Sequence, residues 1–95
     1  VVGYGASRSS NFLIEILQVA PHLDCIVDNN TEKTGKYIYG TEIPILDVEN
    51  FRFETNDLVV PLAWIHSESI LERFIRNQQS LTYLQFYPNV EAHIL

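Results

Sequence analysis

The chain has 95 residues, 46% of them hydrophobic and 19% charged, enough for one small domain with a single core. Its formal net charge of −6 argues against a general nucleic-acid binder, and no apolar run reaches the length of a membrane span. One cysteine cannot form an internal disulfide, so composition points to a reducing compartment and to a cytoplasmic protein.

The opening "VVGYG" reads as a short buried strand, residues 1–5, that ends in a glycine turn. Ser9 or Ser10 is the expected N-cap of a helix running to about Ala20, where Pro21 stops it. Phe12, Leu13, Ile16 and Leu17 form its expected inner face. "LDCIVDNN" follows as a second strand covered on both faces, closed by Asp28, Asn29 and Asn30. Residues 31–46 read as a loop leading into a short extended piece, hinged at Gly35 and Gly40. A third buried strand spans about 57–62. The next helix has Ile70, Leu71, Phe74 and Ile75 as its expected inner stripe, with Arg73 and Arg76 near the end that favours cations. "LTYLQFY" is the last expected strand, and the segment after it, with His93, has no assigned order.

This alternation predicts an α/β fold: a small Rossmann-like, three-layer domain filling residues 1–95, with a mostly parallel sheet of four to five strands. The chain starts without methionine inside an expected strand, and we read it as a portion of a longer polypeptide.

In such sheets ligands bind beyond the carboxyl ends of the strands. Gly3 and Gly5 allow a tight turn after Tyr4, and the amides of residues 6–10 would face an anion at the helix N-terminus. Ser7, Ser9 and Ser10 add hydroxyls, and Arg8, Lys33 and Lys36 place half of the six basic residues after the first two strands. A dinucleotide fingerprint would have glycine where Arg8 stands, so a terminal phosphate or diphosphate suits the turn better than a buried pyrophosphate bridge. Asp28 has two readings: an acceptor for a ribose hydroxyl, or a turn-forming aspartate. Trp64 either stacks on a base or sugar or covers the core. His22, His66 and His93 lack metal-ligand spacing, Cys25 faces the expected core, and no set of residues is catalytic on its own.

The stretches "GYGASRSSN", "IVDNNTEKTGKYIYGTEIPI" and "DLVVPLAWIHSESILERF" together resemble the C-terminal domain of sugar C-methyltransferases. Those enzymes move a methyl group from S-adenosylmethionine to a carbon of a nucleotide-linked deoxysugar. The resemblance marks Gly3, Tyr4, Gly5 and Ala6 as the turn and Asn11 as opening the helix. It further marks Asp28, Asn30, Lys33, Gly35, Lys36, Gly40, Ile43, Pro44 and Trp64. Ser9 and Ser10 stand where the family commonly has a lysine and a glycine, and Ala63-Trp64 replaces a proline-tryptophan step.

The resemblance implies an accessory domain that holds the nucleotide-sugar. S-adenosylmethionine and the catalytic base would belong to a separate methyltransferase domain, the implied partner. Two alternatives stand beside it: a nicotinamide-binding half-domain of a sugar-nucleotide oxidoreductase or epimerase, and a docking domain with an empty turn.

Overall fold

The computed structural model describes residues 1–38, 40–86 and 89–95, without the side chains of Arg8 and Ser9. Strand β1 (Val2–Tyr4) leads into helix α1 (Arg8–Leu17), and a 3-10 turn at Ala20–His22 precedes β2 (Cys25–Asp28). Next come β3 (Ile45–Asp47), β4 (Leu58–Pro61), helix α2 (Ser67–Arg76), β5 (Thr82–Gln85) and β6 (Glu91–Ile94). The sheet order is β3-β2-β1-β4-β5-β6, with every neighbouring pair parallel except β5 and β6. From β1 the chain builds outward through β2 and β3, then returns to the other side of β1 with β4, so the order reverses between β1 and β4.

Side chains alternate across this sheet and divide the core in two. Val2, Tyr4, Cys25, Val27, Val59 and Tyr83 face α2, where Ile70 and Phe74 meet them. Ile26, Ile45, Val60 and Leu62 face the α1 side, with Ile14, Ile38 and Ile43 above them. Gly3 also points to that side: a Cβ there would stand 2.6 Å from Leu62 Cδ1, so glycine lets the layers close. The link between β2 and β3 folds back on itself, with Ile38 N–H donating to Ile43 O and Ile45 N–H to Lys36 O, and so covers this half of the core.

The α/β class and the mostly parallel sheet match the sequence expectation, but the sheet has six strands rather than four or five. The extra strands are β3, inside the extended link, and β6, which pairs Glu91–Ile94 antiparallel to β5. The helix faces differ more. Helix α1 is capped at Ser7, not Ser9 or Ser10, and ends at Leu17 with Gln18 left-handed, three residues before Pro21. It buries Ser10 and Ile14, while Phe12 and Ile16 are 63% and 58% exposed. The cause is Ser10: its hydroxyl donates to Gly5 O at 2.7 Å, which turns that side of the helix inward and rotates Phe12, Ile16 and Leu17 away. In α2, Ser67, Ile70 and Phe74 are buried at helical spacing, and Ile75 falls off the stripe at 56% exposed.

Candidate functional site

The turn after β1 sits on backbone geometry that only glycine accommodates well. Gly5 has φ +97°, and a Cβ on it would lie 2.5 Å from Ala63 Cβ. Its N–H donates to Val27 O at 2.8 Å, while Tyr4 O accepts the N–H groups of Leu62 and Ala63. The turn is therefore stitched to both β2 and the end of β4.

The next amides are also engaged inside the protein. Ala6 N–H donates to Asp28 Oδ2 at 2.7 Å, Ser7 N–H to Ser10 Oγ at 2.9 Å, and Ser10 N–H to Ser7 O at 3.1 Å. The sequence suggests a row of amides open to an anion; Ala6, Ser7 and Ser10 instead close the turn. Asp28 is buried, and its other oxygen accepts Asn30 N–H at 2.8 Å. Of its two sequence readings, the turn-forming one describes the bonds that the carboxylate makes. Lys33 Nζ donates to Ala6 O and so ties the loop after β2 to the same turn.

Beyond the carboxyl ends of β1, β2 and β4, where the strand order reverses, lies a cleft of about 520 Å³. Its size is within the range of small-molecule sites. The turn residues Tyr4, Gly5, Ala6 and Ser7 line it, as do Asp28, Asn30 and Lys33 from the second strand and its loop. Other expected site residues lie elsewhere. Gly3 is inside the sheet, Ser10 is fully buried under the turn, and Lys36 is exposed away from the cleft. Asn11 borders a separate groove with Glu15, Gln18, Ile38 and Thr41. Trp64, half-buried, opens a 3-10 turn between two lining residues, Ala63 and His66, without lining the cleft itself. The side chains of Arg8 and Ser9 lie outside the described residues.

The opposite wall was not legible as a site: Ala63, His66, Ser69, Ile70 and Arg73 complete the cleft. Arg73 reaches across the sequence, donating from Nη1 to Tyr4 Oη at 3.1 Å and from Nη2 to Glu49 Oε1 at 2.6 Å. The Glu49 carboxylate raises the guanidinium's already high pKa. Burial raises the Tyr4 phenol's pKa, with Arg73 opposing it, so Tyr4 stays neutral at physiological pH. At the base of this wall, Tyr83 Oη donates to Ser67 O at 2.9 Å, with Ser67 Oγ 3.0 Å away, and anchors the start of α2. Burial raises the Cys25 thiol's pKa as well, which keeps it protonated inside the core. No group of three or more histidine, cysteine, aspartate or glutamate residues among the described residues is placed to hold a metal ion. Nor is any helix among them long and apolar enough to cross a membrane.

Comparison with curated proteins gives no match. The family model described as the C-methyltransferase C-terminal domain matches residues 1–88, and the chain belongs to that family.

Proposed function

As a C-methyltransferase C-terminal domain, this chain, we propose, holds the nucleoside-diphosphate end of a nucleotide-linked sugar while a separate methyltransferase domain carries out the transfer. S-adenosylmethionine would be the methyl donor bound by that other domain. One observation carries the reading: the cleft at the strand-order reversal collects the cations Lys33 and Arg73, with His66, in a protein whose net charge is −6. The neutral phenol of Tyr4, the side chain of Asn30 and the rim of the turn at Ser7 complete a polar floor for a phosphate-bearing ligand.

The nicotinamide reading is weaker, because the Ala6 amide is bonded to Asp28 and Arg8 occupies the third glycine position. A docking role has one observation of its own, the exposure of Phe12, Ile16 and Leu17 along α1. That surface is open to the methyltransferase domain as a partner.

Calorimetric titration of the chain with thymidine diphosphate, NAD and S-adenosylmethionine separates these readings. Saturable heat with the diphosphate alone is the expected result. Heat with NAD alone would transfer the cleft to the oxidoreductase reading, and no heat with any of the three would leave docking.

A further inference from the structure

We propose that Arg73 is the principal anion-binding residue of the cleft and that Glu49 is a displaceable carboxylate that pairs with it before the diphosphate arrives. This inference rests on the reading of the cleft as a diphosphate site.

The two cations of the cleft among the described residues differ in what holds them. Lys33 is bonded to the Ala6 carbonyl, a neutral backbone group of the turn, and serves as a tether between loop and turn. Arg73 comes from the opposite wall and keeps three of its five N–H donors beyond those given to Tyr4 and Glu49. A guanidinium presents paired N–H groups in one plane, which suits two oxygens of a phosphate better than an ammonium does.

The two partners of Arg73 also differ. Tyr4 belongs to β1, and its ring packs edge-on against Phe74 with centroids 5.8 Å apart, so its phenol is a fixed post in the floor. Glu49 is in the 3-10 turn Val48–Asn50 after β3, its side chain is 68% exposed, and it does not line the cleft. Released from Arg73, its carboxylate enters water and leaves no buried charge behind. Tyr4 meanwhile keeps the guanidinium at the cleft.

The carboxylate and a phosphate in the cleft thus compete for one guanidinium charge, and removing the competitor should tighten binding. Exposed ion pairs are weak, so the expected gain for Glu49→Gln is about three- to fivefold in affinity for thymidine diphosphate. Arg73→Gln should weaken binding about tenfold or more, since it removes a charge-assisted contact. Thymidine, which lacks the phosphates, should bind all forms alike.

The test measures affinity for both probes with the unmodified chain and the two variants, after amide spectra confirm the native fold. Tighter diphosphate binding by Glu49→Gln together with loss in Arg73→Gln supports the proposal. Should Arg73→Gln not fold, the proposal is decided by Glu49→Gln and by Arg73→Lys, which keeps the charge and is expected to bind more weakly than the unmodified chain. Unchanged or weaker binding by Glu49→Gln overturns the role given to Glu49, even if the cleft still binds diphosphate. Native-like affinity in Arg73→Gln or Arg73→Lys overturns the role of the guanidinium. If neither the unmodified chain nor Glu49→Gln binds diphosphate at millimolar concentration, this inference fails together with the reading beneath it.

Discussion

The two walls of the cleft use their polar groups in different ways. On the turn side, Ala6 and Ser7 donate their amides to Asp28 and Ser10, and Lys33 closes the loop onto Ala6 O. On the α2 side, Arg73 pairs with a carboxylate that stands in solvent, while Tyr83 fixes only the base of the helix. The first arrangement fixes a shape; the second sets a charge at the cleft beside a carboxylate that stands mostly in water. A glycine turn at the head of a helix therefore does not by itself supply donors to a ligand, because the fold can use those donors first.

Substitutions rank the two walls. The largest loss is expected for Gly5→Ala, which places a Cβ in a left-handed backbone against Ala63 and should cost about 4 kcal/mol by urea denaturation. Asp28→Ala comes next: it strips two backbone N–H groups of their acceptor, one of them buried, for about 3 kcal/mol in the same measurement. Near-native stability in either variant would break the view of the turn as a scaffold.

The anchor of the other wall has a pH signature. Burial pushes the Tyr83 pKa up to about 12 from 10.0. The unfolded chain thus loses that proton before the folded one does. The stabilisation is complete below pH 10 and falls away as pH rises toward about 12, by on the order of 2 kcal/mol. Denaturation at a series of alkaline pH values should show this slope, and Tyr83→Phe should make it shallower, with Tyr4 and Cys25, also raised by burial, supplying the remainder. The smallest effect is expected at Arg73, where Arg73→Gln should change stability by about 1 kcal/mol, because it removes a half-exposed ion pair and one hydrogen bond to Tyr4. A larger loss would make Arg73 part of the scaffold as well.

The sequence shows the central sheet well because β1, β2, β4 and β5 are apolar runs bounded by turn residues, and the family resemblance agrees with the match over residues 1–88. It hides the edges. In β3 only Ile45 is buried while Leu46 points outward, and in β6 Glu91, Ala92 and Ile94 are all exposed, so neither presents an apolar stripe. Helix α1 misleads in the opposite way: it carries more apolar residues than the sheet covers, and a buried serine sets its rotation. At the cleft, the turn and the loop after β2 are recognisable from glycine, Asp28 and Lys33. Arg73 is not, since in sequence it is one more cation near a helix end, and its contact with Tyr4 spans 69 positions.

One titration tests the contrast most directly: the Arg73 Nε–H signal and the Ala6 and Ser7 amides followed together by NMR as thymidine diphosphate is added. The expected result is a saturable shift at Arg73, with the Ala6 and Ser7 amides slow to exchange with water throughout. Fast-exchanging turn amides that shift with the diphosphate while Arg73 stays still would contradict it.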